Sequence, residues 1–220
     1  SDGAYRDGLE TEHSAQHATA YPLAAGITPT ELRESAGKLL ASQGMRMSVY
    51  GAQFLLDPLF NAGEDRAAMA LMTSREQFSW LHMMDDLHAT IAMEAWDPAI
   101  KPNTTFSHAW GTAPANVIPR HVVGIDVIEP GASHIRIVPK PGDLAWFKAT
   151  VPTIRGAVDV SYTKQGPVLL GITLPPNVTA ELSLQGLNHI DGAMIEGEAV
   201  KTTSVHRLRP GRVRVTAPRQ

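Results

Sequence analysis

The stretch Ala89-Thr-Ile-Ala-Met-Glu-Ala-Trp-Asp-Pro98, followed by Lys101-Pro-Asn-Thr-Thr-Phe-Ser-His-Ala-Trp-Gly111, divides the chain into two kinds of sequence. Before it, apolar residues recur with a helical period; beyond Gly124 they alternate, as in strands. Within it one carboxylate, Glu94, lies between Ile91, Ala92, Met93, Ala95 and Trp96. If the stretch packs, partial desolvation raises the pKa of Glu94 toward the range of a water-activating base. The same residue could instead be an exposed loop glutamate. Trp80, Trp96 and Trp110 offer flat apolar faces suited to the C–H side of a sugar ring, and His108 and Asn103 offer directional hydrogen bonds. His108 could orient a hydroxyl or tune Glu94, or be a histidine satisfied by backbone.

Working back toward the first residue, short glycine-bearing turns separate helix-like runs. The spacing predicts helices from about Glu12 to Ala25, from Thr30 to Gly44 with Thr28 or Thr30 as N-cap, and from Met47 to Asn61 with a kink at Pro58. Further helices are expected from Glu64 to Met72, from Glu76 to Asp86 and from Ala113 to Val123. Paired helices of this kind read as stacked helical hairpins. Working forward, strand-like runs begin at Ile135, Leu144, Ala157, Val168, Val178 and Arg212, and Pro-, Gly- and Asn-containing turns punctuate them. That spacing predicts an antiparallel β-sandwich. The expected boundary gives a helical domain over 1–124 and a β-domain over 125–220.

The bulk composition narrows the function. With 220 residues, 43 % hydrophobic and a formal net charge of -3, the chain has the make-up of a globular protein. Lys and Arg are scattered, so no nucleic-acid partner is expected; the short run Arg207–Arg214 alternates with apolar residues and reads as the wet face of an edge strand. No apolar run reaches the roughly 20 residues that span a bilayer, so no membrane partner is expected. The absence of cysteine removes thiol nucleophiles and Cys-ligated zinc, but leaves bacterial cytoplasm, periplasm and secretion equally open. His13 and His17, four residues apart, would share one helical face, yet no third ligand completes a metal set. Asp85-Asp86 with His88 reads as a solvated helix end, and Asn177-Val-Thr179 matches a glycosylation sequon in a Pro-Asn turn. The start at Ser1, without a methionine, is expected to have been processed or cut.

One ordered set of short motifs is more specific. Asp7-Gly-Leu, His13-Ser-Ala-Gln-His-Ala, Pro22-Leu-Ala-Ala-Gly-Ile, Trp80 with Met83 or Met84, Ala89-Thr, Glu94-Ala-Trp96, Ser107-His-Ala-Trp-Gly111, Gly124-Ile, Glu129-Pro-Gly131 and Pro152-Thr-Ile-Arg-Gly156 follow one another along the chain. Their order and spacing resemble the C-terminal part of bacterial α-L-rhamnosidases of glycoside hydrolase family 78. The resemblance implies an α+β multidomain architecture: part of an (α/α)6 barrel followed by a C-terminal β-sandwich. It implies an inverting glycosidase that releases terminal α-L-rhamnose and needs no cofactor or metal, with Glu94 as general base, His108 as a sugar contact and Trp80 as a wall of the pocket. It also implies that the general acid belongs to a missing N-terminal half, because about six helices make only half of such a barrel. Uncovered helix faces would then associate with that half, or with a second copy in a homo-oligomer. The alternative is a non-catalytic carbohydrate-binding or structural module.

Overall fold

In the computed structural model, which describes residues 3–187 and 190–218, the chain is α+β and divides into two compact units, Ser1–Val117 and Ile118–Gln220. The first unit is built from α1 (Gln16–Ala24), α2 (Thr30–Gln43), α3 (Gln53–Asn61), α4 (Asp65–Met72) and the short α5 (Ala113–Val117). Neighbouring helices pack as hairpins, α1 against α2 and α3, and α3 against α4. Each turn has a local cause. Gly26, Gly44 and Gly63, at φ of 72°, 69° and 82°, take the left-handed conformation that a side chain disfavours. Buried Gln16 ties α1 to the end of α2: its amide nitrogen donates to the Gly44 carbonyl at 2.7 Å and its oxygen accepts from Arg46 N–H at 3.0 Å. Pro58 lies inside α3, and Leu55, Leu56, Leu59 and Phe60 of that helix are fully buried with Leu40 of α2. α3 is therefore the centre of the helical core.

Several expected helices are shorter in the structure. α1 begins at Gln16, so His13 lies ahead of the helix, where its ring pairs with Asp7. His13 and His17 thus share no helical face; His17 instead packs against Tyr21 with ring centroids 5.7 Å apart. Neither Thr28 nor Thr30 caps α2: Pro29 holds the N-cap position, and the buried Thr28 hydroxyl has no partner. The run expected as a helix over 76–86 is reduced to a few helical residues ending in a π-helical turn at His82–Asp86. Its polar residues are drawn into side-chain contacts instead: Arg75 pairs with Asp85 at 2.6 Å, and Gln77 reaches Asp97 at 3.0 Å. The run over 113–123 splits into α5 and a second π-helical turn, Ile118–Val122.

The second unit stacks two sheets. One has the order β1 (Ile125–Val127), β2 (His134–Ile137), β6 (Thr179–Ser183), β9 (Val205–Leu208). The other has the order β3 (Trp146–Thr153), β4 (Gly156–Thr163), β5 (Val168–Leu174), β10 (Gly211–Ala217), β7 (Met194–Ile195), β8 (Glu198–Ala199). Ile135, Ile137, Ala180 and Leu182 from the first sheet join Val158, Val160, Leu170, Ile172 and Val215 from the second in one buried cluster. Alternation puts the intervening polar residues on the outer faces. All pairings are antiparallel except β2 with β6, which run parallel because the chain visits the other sheet through β3, β4 and β5 between them. The arginine run is divided between two strands of different sheets. Arg207 lies on β9, at a sheet edge; Arg212 and Arg214 sit on β10, which pairs with β5 along its whole length and with β7 only at Val215 and Thr216. Gly124, at φ 83°, immediately precedes β1, where a Cβ would lie 2.1 Å from the Val138 carbonyl oxygen.

Candidate functional site

The stretch around Glu94 has no regular secondary structure, yet it is closely held. Segments 92–95 and 104–108 run side by side in opposite directions. Glu94 N–H donates to the Thr105 carbonyl at 3.0 Å, and His108 N–H donates to the Ala92 carbonyl at 2.9 Å. The Thr104 hydroxyl accepts from Ala95 N–H at 3.1 Å. In this short ladder Met93 and Trp96 are buried and Glu94 is half-buried between them.

Two tryptophans anchor the ladder from beneath. The Trp96 indole N–H donates to the Met47 carbonyl at 2.8 Å, and the Trp80 indole N–H donates to the Gly111 carbonyl at 2.7 Å. The two rings meet edge to face, with centroids 5.0 Å apart and planes at 82°. Gly111 is required at this point because an added Cβ would sit 2.9 Å from both the Met93 carbonyl oxygen and a Val49 methyl. Trp80 is only 8 % exposed, so its ring is part of the packed base of the site. Trp110, at 43 % exposed, carries the open ring face. It packs edge to face on Tyr50 at 5.3 Å and tilts against His108 at 4.6 Å.

Glu94 has two direct partners. The Lys101 ammonium forms an ion pair with Oε1, and Thr105 N–H donates to Oε2 at 3.3 Å. Lys101 holds the Glu94 carboxyl below the ordinary carboxylate value, against the opposing effect of burial; the Thr105 N–H and the positive field of His108 act in the same direction as Lys101. The sequence alone predicts the reverse direction from the apolar neighbours. The ion pair decides the sign because the Glu94 side chain is still 23 % exposed, so its desolvation is incomplete. His108 is joined to the site through its Nε2, which bonds the Thr105 hydroxyl.

Lys101 is itself placed by a second cluster that sequence reasoning missed. Asp97 folds the turn 97–101: its Oδ1 accepts from Ala99 N–H at 2.7 Å, and its carbonyl accepts from Ile100 N–H at 3.0 Å and Lys101 N–H at 3.2 Å. His82 clamps that turn to the preceding segment, with Nδ1 2.7 Å from Asp86 and Nε2 3.1 Å from Asp97. Asp86 foremost, and then Asp97, push the His82 pKa up despite partial burial. The hydrogen bond from Gln77, then those from Ala99 N–H and His82, hold Asp97 low. The i, i+4 spacing of His82 and Asp86 was legible in the sequence. The contact from His82 to Asp97, fifteen residues away, was not.

Taken together, the arrangement is an ionised, oriented carboxylate beside an imidazole and an exposed indole face, on an apolar base. Such a group can accept a proton from a water molecule and offers directional contacts to a hydroxylated ring. Asn103 is exposed at the rim. Among the described residues no group of three or more His, Asp or Glu is arranged to hold a metal ion.

Comparison with known proteins gives two matches to family models: the bacterial alpha-L-rhamnosidase 6 hairpin glycosidase domain over residues 2–122, and the bacterial alpha-L-rhamnosidase C-terminal domain over residues 124–194. No curated protein matches the chain. Three solved structures share its fold. The α-L-rhamnosidase from Dictyoglumus thermophilum is 19 % identical with a TM-score of 0.78, over 93 % of this chain and 25 % of its own. The Streptomyces avermitilis α-L-rhamnosidase, solved in complex with L-rhamnose, is 24 % identical with a TM-score of 0.76, over 92 % of this chain and 21 % of its own. The α-L-rhamnosidase from Aspergillus terreus is 24 % identical with a TM-score of 0.72, over 92 % of this chain and 25 % of its own. The chain therefore spans about a quarter of the length of the solved structures it resembles.

Proposed function

We propose, for a chain that belongs to the bacterial α-L-rhamnosidase six-hairpin glycosidase family, that it supplies the general base and part of the sugar pocket of an inverting α-L-rhamnosidase. The observation that carries this reading is the state of Glu94: a half-buried carboxylate, kept ionised by Lys101 and oriented by Thr105 N–H, in the ladder that also carries His108, against which Trp110 packs. In an inverting hydrolysis one carboxyl group protonates the leaving oxygen while a carboxylate on the opposite face takes a proton from water, and the water oxygen attacks the anomeric carbon. Glu94 is assigned the second role. Its hold on a proton is transient because Lys101 favours the charged form, which returns the base to its working state. His108 is assigned a hydrogen bond to a sugar hydroxyl. Trp80, buried beneath the ladder, is assigned the pocket wall through its packing on Trp96 and its bond to Gly111.

The general acid is assigned to sequence outside these 220 residues, since the structures of like fold are about four times as long. On this reading the two carboxyl groups stand roughly 6.5–9.5 Å apart when the site is assembled, leaving room for the water. Acid and base suffice for the reaction, so no cofactor is assigned. The substrate is a rhamnose-bearing glycoside or polysaccharide.

Replacing Glu94 by Gln in a protein containing both halves of the site is the direct test. Hydrolysis of an aryl rhamnoside to rhamnose and the free phenol should fall by about 10²–10⁴-fold, the usual contribution of a general base, with little change in KM. The product of the unmodified protein, followed by NMR in the first minutes, should be the β-anomer. Undiminished turnover by the variant would remove Glu94 from the role.

A further inference from the structure

The outer face of the six-stranded sheet carries an open groove of about 780 Å³ that lies wholly within the second unit. Strand register fixes what lines it. One row across the sheet reads Lys148, Ser161, Gly171, Arg214 on β3, β4, β5 and β10; the next reads Thr150, Asp159, Thr173, Arg212. These positions alternate with the buried residues Val160, Leu170, Ile172 and Val215, so their side chains stand on the outer face. Gly171 lowers the middle of the first row; an added Cβ would lie 2.7 Å from the Ser161 hydroxyl, which would have to turn aside.

The groove is unevenly charged. Lys148, Arg212 and Arg214 are exposed and make no side-chain hydrogen bond or ion pair among the described residues. The one carboxylate between them, Asp159, already accepts from the Thr150 hydroxyl at 2.7 Å. Glu196, at the neighbouring strand, spends an oxygen on the Arg214 backbone N–H. The wider unit agrees in sign. From 118 to 220 there are twelve Lys and Arg against eight Asp and Glu, a net of +4, whereas residues 1–117 carry seven against fourteen, a net of -7.

We propose that this groove binds a segment of an acidic polysaccharide through its sugar carboxylates. Arg212 and Arg214 are two residues apart on one face of β10, about 6.8 Å along the strand, and their planar guanidinium groups suit bidentate contact with carboxylates. Lys148 supplies a charge on the opposite bank. The hydroxyls of Ser161 and Thr173 and the side-chain-free floor at Gly171 leave a shallow, hydrogen-bonding bed for a chain of hydroxylated rings. These two rows carry no aromatic ring; the exposed Trp146 stands on the same face of β3 in the adjacent row, Trp146, Thr163, Leu169, Thr216, where its ring can stack on a sugar, and the single-stranded DNA arm of the test distinguishes this from a nucleic-acid platform. The site is independent of Glu94 and holds whatever reaction the first unit performs.

The test uses native affinity electrophoresis of the 220-residue chain in gels containing polygalacturonate, dextran, polyglutamate or single-stranded DNA, at low ionic strength. Polygalacturonate should retard the chain and dextran should not, with retardation fading as salt is raised through 0.2 M. The Arg212→Gln/Arg214→Gln variant should bind at least ten-fold more weakly, and so should Lys148→Gln, which covers the case in which the double variant fails to fold. Glu94→Gln should bind as the parent does. Absence of retardation by polygalacturonate, variants that bind like the parent, or equal retardation by polyglutamate or DNA would each overturn the proposal.

Discussion

Trp96 is where the fold and the candidate site can be perturbed together. It lies two residues from Glu94, is 4 % exposed, and fastens the ladder to Met47 through its indole N–H at 2.8 Å. Replacing it by Phe keeps a ring but removes the donor, and the buried Met47 carbonyl then loses its partner. An unpaired buried acceptor costs about 1–3 kcal/mol. The edge-to-face contact with Trp80, worth about 0.5–1.5 kcal/mol, is lost in part as the smaller ring recedes. Together these give a destabilisation of about 2–3 kcal/mol. For a chain of this size each kcal/mol moves Tm by about 2–4 °C, so circular dichroism should record a fall of about 7 °C. The loss should begin locally: hydrogen exchange should accelerate first at the amides of Glu94 and His108, whose acceptors are the Thr105 and Ala92 carbonyls. A fall of less than about 2 °C, or unchanged exchange at those two amides, would show that Trp96 does not anchor the ladder and would refute the account of how Glu94 is placed.

Other outcomes follow from the same geometry. Lys101→Met removes the main influence holding the Glu94 pKa down, so the acid limb of the kcat/KM profile should move to higher pH in a protein that has the complete site; an unmoved limb would separate Lys101 from the base. His82 has a raised pKa in the fold, so its clamp stabilises fully below its ordinary value of 6.5 and is lost as pH rises through the raised value. Thermal stability of the parent should accordingly decline through neutral to mildly alkaline pH, and a His82→Gln variant should lack that decline. Asp97, held low, acts in the opposite sense: its contribution is present above the ordinary carboxylate value and disappears only in acid as pH falls through its lowered pKa. Gly124→Ala places a Cβ 2.1 Å from the Val138 oxygen in a left-handed conformation that alone costs about 1–2 kcal/mol; a loss of at least about 2 kcal/mol is expected in urea titration of the second unit.

The sequence by itself determined the architecture. Helical period before Glu94 and alternation beyond Gly124 are properties of local backbone geometry, and glycines at 26, 44, 63 and 124 mark turns because each needs a positive φ. The ordered motifs identified the family, and the resemblance singled out Glu94, His108 and Trp80. What escaped was everything that depends on chain crossing chain. Short strands such as Met194–Ile195 and Glu198–Ala199 have too few residues to show a period and exist by pairing with β10 and each other. Arg212 and Arg214 alternate with apolar residues on β10 as exposed residues do on any strand with one buried face; only the register with β5, β4 and β3 reveals the groove. The sign of the Glu94 pKa was likewise out of reach. Its apolar neighbours in sequence argue for a rise, but Lys101 is returned to it by an irregular turn that Asp97 folds and His82 clamps. Periodicity carries no information about such a turn. Tertiary structure alone brings that ammonium to the carboxylate, and at contact distance a charge outweighs partial desolvation.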